Sequence, residues 1–460
     1  MIANVIDATN TSYNVVKEIG EGSQGVTFLL EGGKHIAKLF KGSAKMDPTA
    51  LKSKINFLIN LGLDKRRYSV PLREITQPVI GYISEFATEM VPISALMLSD
   101  KVEYKVIWFV ETGGLLKRYG VLIKLATELR NIHAKGLIYC DLSPNNVFIS
   151  EKPAKVNVFL IDLDNLRYKT SIIHNIYTPR YGAPEVVRND APNSPMSDCF
   201  SFAVLAYELL TWAHPLFGDY VNDGEPELED KAQRGELPWV EDEDDTSNER
   251  TNGVPSDVFV AKVIQKLFSR TFKDGLNDPF KRPTMGEWVE ALNIALNELI
   301  KCPTCGIHYP FKTSGQCPFC EKSSETAFSL KIQRWDLDSF YDKETNKVEE
   351  RYGLQERVYE EIMLDAVTPK YVKAFHLLIG TEESYDSPIC QIKLAVDPQT
   401  EDVLLSVKPQ DDFCFFYKYA DGKSESSFDK DQVIRLKKGR TRKIVIGSNT
   451  FDNAQRVIVI

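Results

Sequence analysis

The segment Gly136-Leu137-Ile138-Tyr139-Cys140-Asp141-Leu142-Ser143-Pro144-Asn145-Asn146-Val147 constrains this chain more than any other. An aspartate followed five positions later by an asparagine lies between a helical pattern at 115–133 and a short apolar strand. One short loop thus offers a carboxylate to accept a proton and an amide oxygen to bind a hard cation. Sixteen residues beyond Asn146, the apolar run Phe159-Leu160-Ile161 ends in Asp162-Leu163-Asp164, which brings further carboxylates to a strand end. Ala183-Pro184-Glu185 follows, then Asp198 opening an apolar helix, then Arg282 within Lys281-Arg282-Pro283.

Upstream, Gly20-Glu21-Gly22-Ser23-Gln24-Gly25 has the spacing of a loop whose backbone amides can approach phosphate oxygens closely. Taken alone it equally describes a tight turn between strands. Lys38 ends a strand thirteen residues after Gly25 and taken alone is a solvated strand end. Alternating residues predict strands across the first 40 positions and at 70–76 and 79–86. Apolar residues at helical spacing predict helices at 48–61, 115–133, 198–211, 256–268 and 284–300. A strand-rich piece followed by a helix-rich piece gives an α+β organisation in two lobes.

Over residues 10–300 this order and spacing resemble the protein-kinase family: glycine loop, strand lysine, catalytic loop, metal-binding aspartate and Ala-Pro-Glu. The resemblance implies a bilobal kinase domain over 1–300, with an N-lobe near 10–86 and a C-lobe near 88–300. It implies ATP covered by Gly20, Gly22 and Gly25, with Lys38 on its phosphates. Ile36, two residues before Lys38, faces the nucleotide, and Glu85 and Ala87 offer backbone bonds to the adenine beside Ser84. Asn146 and Asp162 hold Mg2+, Asp141 takes or orients the proton of a substrate hydroxyl, and Thr178 orients that substrate. Glu185, Asp198 and Arg282 brace the C-lobe, and His133 and His214 are structural. The implied activity is Ser/Thr phosphorylation of proteins, the kinase itself included. The alternative is an ATP-binding pseudokinase scaffold that recruits partners through its tail.

Several residues depart from the family pattern. Tyr139 and Cys140 stand where His-Arg is usual, so a phosphate on the activation segment loses its arginine. Activation is then expected without phosphate at Thr170 or Ser171. Cys140 itself reads as packed and inert, with no basic neighbour. Asp164 replaces a glycine and adds a carboxylate near the ions. Ser143 replaces the lysine common in Ser/Thr kinases. No glutamate occurs between Lys38 and Glu74, so the helix at 48–61 cannot supply the usual partner of Lys38. Asp47 and Glu74 are the candidate substitutes. The wording Asp-Leu-Ser-Pro-Asn-Asn with Asp-Leu-Asp is similar to bacterial kinases that accompany tellurite-resistance-type von Willebrand-A proteins and metal-dependent phosphatases. That likeness implies such partners, and eight cysteines, too few for a disulfide framework, favour a reducing cytoplasm.

Cys302-Pro-Thr-Cys305 and Cys317-Pro-Phe-Cys320 form two knuckles whose four thiolates suit a closed, structural zinc site in a ribbon at 301–321. Iron is the minor alternative, and His308 reads as a surface residue. Cys199, Cys390 and Cys414 read as core or strand residues. From 326 to 460 the pattern is mostly β, for which a sandwich is one arrangement. A forkhead-associated phosphopeptide site lacks its expected residues there.

At ~150 residues per domain, 460 residues suit about three domains. Twelve Asp/Glu against three Lys/Arg between Val221 and Arg250 give −9, the whole chain's net charge, so the acidity sits in one segment, read as a solvated surface insertion. That balance argues against nucleic-acid coating, and no apolar run reaches membrane-spanning length.

Overall fold

Alternation over the first 85 residues produces six antiparallel strands: β1 (Asn4–Asp7), β2 (Ser12–Glu21), β3 (Gly25–Leu30), β4 (His35–Phe40), β5 (Arg73–Gln77) and β6 (Gly81–Glu85). They close into a barrel in the order β1-β2-β3-β4-β6-β5 around Val5, Leu30, Ala37, Leu39, Ile75 and Ile83. This computed structural model describes residues 2–22, 25–41, 47–168, 175–322, 328–342, 344–365, 370–373, 388–397, 399–400, 402–410, 415–419, 425–436, 444–448 and 455–459. Ser23, Gln24, Thr170, Ser171 and Cys414 lie outside the described residues. The chain forms two units, Met1–Val254 with Lys266–Val289, and Pro255–Gln265 with Glu290–Ile460.

In the first unit, α1 (Pro48–Asn60) starts at Asp47, whose carboxylate accepts the Ala50 N–H at 3.3 Å. Its Leu51 and Ile55 pack with Phe40 and Tyr82, and Leu58 is also buried. Next come β7 (Met90–Pro92), α2 (Lys105–Glu111), α3 (Gly114–Ala134), β8 (Leu137–Ile138), β9 (Val147–Ser150), β10 (Val158–Leu160) and β11 (Arg167–Tyr168). The β9–β10 hairpin brings Asn146, just before β9, and Asp162, two residues past β10, together at its open end, where the Ile161 N–H donates to the Asn146 carbonyl at 3.0 Å. After α4 (Pro184–Val187), α5 (Pro195–Thr211) opens with a Ser194–Ser197 capping box. It is apolar nearly all round, and buried accordingly.

The acidic segment is more than a solvated loop. It carries α6 (Asp219–Asn222) and α7 (Pro226–Gln233), and it buries Val221, Ala232, Trp239, Val240 and Asn248. Most of its charges face water, while these side chains, Glu241 bonded to Tyr207 and Asp242 paired with Lys273 tie it to the body. The helical pattern at 256–268 is split into α8 (Ser256–Phe259) and α9 (Lys262–Ser269), and α10 (Met285–Glu298) ends early because Leu299 and Ile300 enter a strand.

Arg282 grips Glu185 through two bonds, 2.8 and 2.7 Å, with both side chains buried and the guanidinium over Phe200. Arg282→Leu leaves Glu185 as an uncompensated buried charge. An equilibrium unfolding measurement should show a loss of about 3–5 kcal/mol; a loss under about 1 kcal/mol would show the pair to be dispensable.

The second unit continues with β12 (Leu299–Lys301), β13 (His308–Pro310) and α11 (Phe311–Ser314). A long hairpin follows, β14 (Phe328–Asp342) with β15 (Lys347–Leu364), then β16 (Lys370–Lys373), β17 (Pro388–Val396), β18 (Val403–Pro409), β19 (Phe415–Tyr419), β20 (Glu425–Phe428), β21 (Gln432–Leu436), β22 (Ile444–Ser448) and β23 (Gln455–Val459). One sheet runs β15-β14-β23-β22-β19-β20 and the other β16-β17-β18-β21. Both feed a shared core that includes Leu330, Ile362, Ile392, Leu405, Ile434 and Ile446, the arrangement of a sandwich. The break between the two compact units falls inside α10. Residues 255–265 join this unit because Phe259 packs edge-on against Phe319 and Ser314 donates to the Val258 carbonyl.

Candidate active site

A cleft of about 640 Å3 is lined by Gly20, Gly22, Gly25, Ile36 and Lys38 from the barrel, by Glu85 and Ala87 after β6, and by Asn146 and Asp162 from the loops around β9 and β10. The three glycines serve different ends. A Cβ on Gly25 would lie 2.5 Å from the Leu39 carbonyl oxygen, so that glycine is required by strand packing. Gly20 and Gly22 have open space around them and are the ones free to approach a ligand. At the other end of the cleft the Phe86 N–H is engaged by the Lys34 carbonyl at 2.9 Å, while Glu85 and Ala87 face the cleft. Ser84 is buried against Ser69, 3.1 Å between hydroxyls, and Ser69 is the one that lines the cleft.

Lys38 pairs with neither Asp47 nor Glu74. Asp47 is spent on capping α1, and Glu74 pairs with Lys52 at 3.3 Å. The Lys38 ammonium instead bonds Asp162 and Asp164. Burial works against its charge, but Asp164 and Asp162 hold it well above the usual lysine range.

Asp141 is held from several sides. The Thr178 hydroxyl donates to Oδ1 at 2.7 Å, the Asn165 amide reaches Oδ2 at 3.4 Å, and the Asn146 amide donates to the Asp141 carbonyl at 2.8 Å. Asn146 thereby keeps its oxygen as the acceptor on the cleft side. Burial, with help from the Asp162 charge, raises Asp141 above the usual carboxylate range, against the bonds from Thr178, Asn146 and Asn165. Thr178→Ala removes a bond to a charged group worth about 1.5–3 kcal/mol. Steady-state kinetics should show kcat/KM about ten- to a hundredfold lower, and an unchanged value would remove Thr178 from the site.

The loop leading into Asp141 is fixed by Asp198, which accepts the Tyr139 and Cys140 N–H groups at 2.8 and 2.9 Å and meets His133 at 2.9 Å. These bonds hold Cys140 in the left-handed region, φ 73°, and Asp162 is also left-handed, φ 56°. Non-glycine residues pay about 1–3 kcal/mol each for that conformation, so the loops are shaped in advance of any ligand. Burial pushes the Cys140 thiol up to about 12, which suits an inert packed group. It does have a basic neighbour, however: the Arg167 guanidinium stands beside it. Arg167 also donates to Asn193 at 2.6 Å, and Asn193 brackets the Ile176 backbone with bonds of 3.0 and 2.8 Å. The end of the segment before Thr178 is therefore tied down by an amide. No sequence signal marked Asn193. Ser143 is buried, and His214 is buried and held near 3 by that burial, in contact with the Arg180 carbonyl.

In the second unit the Cys302, Cys305, Cys317 and Cys320 sulfurs lie within 4.8 Å of one another. Cys302 and Cys320 are 3.5 Å apart and Cys305 and Cys317 3.4 Å, spacings compatible with four thiolates around one ion. Burial opposes ionisation of Cys302, yet the Cys305 and Thr304 N–H groups lower its thiol to about 6. His308 is half-buried and pushed down to about 4 by burial, so it is not a surface residue; it stands outside the sulfur cluster. The cluster has little core of its own and shares Ile300, Tyr309 and Met363 with β12, β13 and β15.

Residues 115–292 match the model of the protein kinase domain. The chain is also similar to curated proteins. Human ribosomal protein S6 kinase alpha-2 is 25% identical over 226 residues, 46% of this chain and 28% of the relative. Mouse leucine-rich repeat serine/threonine-protein kinase 1 is 23% identical, over 42% of this chain and 10% of the relative. Human myosin light chain kinase family member 4 is 30% identical, over 36% and 40%. The chain thus spans well under half the length of each of these. The match and the relatives support a serine/threonine protein kinase. Among the described residues no helix is long and apolar enough to cross a membrane.

Proposed function

We propose that the protein transfers the γ-phosphate of ATP, with Mg2+, to Ser/Thr hydroxyls of protein substrates and of itself. The observation that carries this reading is the meeting of Asn146, Asp162 and Lys38 around one glycine-roofed cleft, with Asp141, bonded to Thr178, joined to Asn146 just outside it. ATP and Mg2+ supply the phosphoryl group and the charge neutralisation that its transfer needs. Gly20 and Gly22 lie over the phosphate end, Lys38 orients the phosphates, Asn146 and Asp162 are the metal-holding side chains, and Glu85 and Ala87 receive the base. Asp141, steadied by Thr178 and Asn165, takes or orients the proton of the incoming hydroxyl. A Lys38 without a carboxylate partner would favour the pseudokinase alternative; its bonds to Asp162 and Asp164 support the enzyme. Labelled ATP with Mg2+ should label the chain on serine or threonine. Nucleotide binding with no labelling of the chain or of a Ser/Thr peptide library would return the reading to a scaffold.

Zn2+ held by Cys302, Cys305, Cys317 and Cys320 is the second part of the proposal, in a purely structural role because all four ligands are protein thiolates. The loop wording further supports a bacterial, cytoplasmic signalling kinase working with a von Willebrand-A protein and a metal-dependent phosphatase.

A further inference from the structure

Lys38 lies in the wall of the cleft, and the helix behind it, α1, contains no acidic residue. Its two carboxylate partners differ in what else they can do. Asp162 lines the cleft and its side chain is 27% exposed, so it is available to a cation there. The Asp164 side chain is 1% exposed and does not line the cleft. One oxygen, Oδ2, bonds Lys38, and the other, Oδ1, is buried with no hydrogen-bond partner among the described residues. A buried carboxylate is costly unless cations face it. Besides Lys38, α1 brings Lys54, half-buried and within electrostatic reach of Asp164, Asp162, Lys38 and Arg167.

We propose that Asp164 is the positioning carboxylate for Lys38, and that Lys54 on α1 acts on the pair as a longer-range countercharge rather than as a bonded partner. In the usual arrangement the helix supplies the acid that holds the strand lysine. Here the acid comes from the segment after the metal-holding aspartate, and the helix supplies a second base. The arrangement explains how Lys38 stays oriented when Asp162 turns to a cation: Asp164 remains as its counter-charge from the side away from the ligand. It also explains a carboxylate at the position of a flexible glycine, since the Lys38–Asp164 bond ties that segment to β4. The inference rests on the kinase reading for its consequence, but its geometry can be tested without turnover.

The test compares the full-length parent, Asp164→Asn, Lys54→Glu and the double variant Asp164→Asn/Lys54→Glu. Two quantities are read: phosphate transfer, and the rate at which Lys38 is acylated by an acyl phosphate of ATP. Asp164→Asn should lower kcat/KM for ATP at least ~tenfold and change the acylation rate. Lys54→Glu should also be impaired, because its new carboxylate faces Asp162 and Asp164. The double variant, which moves the acid onto the helix, should regain at least ~tenfold over Asp164→Asn, a recovery that a merely space-filling Asp164 would not give. If Asp164→Asn does not fold, Lys54→Met supplies the reading and should cost at least ~threefold in turnover. A parent that transfers no phosphate, but whose Lys38 acylation follows the 164/54 pair, would defeat the kinase reading and leave this inference standing. Parent-like turnover and acylation in Asp164→Asn would overturn it, as would a double variant no better than the single. An Asp164→Asn chain altered only in its Mg2+ requirement would make Asp164 a metal ligand and equally overturn it.

Discussion

Asp162→Asn should lower kcat by about 10²–10³-fold, equivalent to about 2.7–4 kcal/mol of lost transition-state stabilisation. The residue lines the cleft beside Asn146, at the open end of the β9–β10 hairpin, and is held left-handed with its carboxylate toward Lys38. Neutralising it removes charge where a magnesium ion and three phosphate groups would meet. Asp141→Asn should fall at least as far while leaving nucleotide binding near the parent value, because Asp141 engages Thr178 and Asn165 and does not line the nucleotide cleft. The pair of variants separates binding from chemistry. Calorimetric titration with Mg·ATP beside single-turnover kinetics makes the comparison, and an Asp162→Asn enzyme as fast as the parent would remove the active-site assignment.

The second large effect concerns the sulfur cluster. One zinc per chain should copurify, and Cys302→Ser or a strong chelator should release it. Structural zinc contributes about 10–16 kcal/mol of apparent binding energy in modules of this kind, far more than Ile300, Tyr309 and their neighbours can supply. The loss should not stop at residue 321. Lys301 N–H is bonded to Asp365 at 2.9 Å, Lys370 donates to the Leu299 carbonyl at 2.9 Å, and Phe319 packs on Phe259. Hydrogen exchange should therefore speed up in β12, β13, α11 and the 256–259 helix together, while Mg·ATP still protects the glycine loop. Metal analysis finding no zinc, or iron in its place, would contradict the assignment.

Local chemistry was legible wherever a residue type is needed at a fixed separation along the chain. Asp141 and Asn146 share one loop, Asp162 ends the next strand, and the four cysteines form two knuckles, so their meeting requires only a hairpin or a turn. Periodicity likewise placed the barrel strands and α3 and α5, because one face of each, or the whole of α5, had to leave water. The acidic segment was misread as wholly solvated because its charges outnumber its few anchors; Trp239 and Asn248 are buried by partners distant in sequence.

What only the tertiary structure decided is the identity of partners far apart in the chain. Lys38 bonds carboxylates 124 and 126 residues away, while Glu74, much nearer in sequence, is drawn to Lys52. Arg167 comes to stand beside Cys140 because β11 pairs with β8. Sequence alone determined which chemistry this chain can perform, since the order of its donors and acceptors is covalent. Which charges neutralise each other was left to folding, because that depends on distance through space and on how much water the packing excludes.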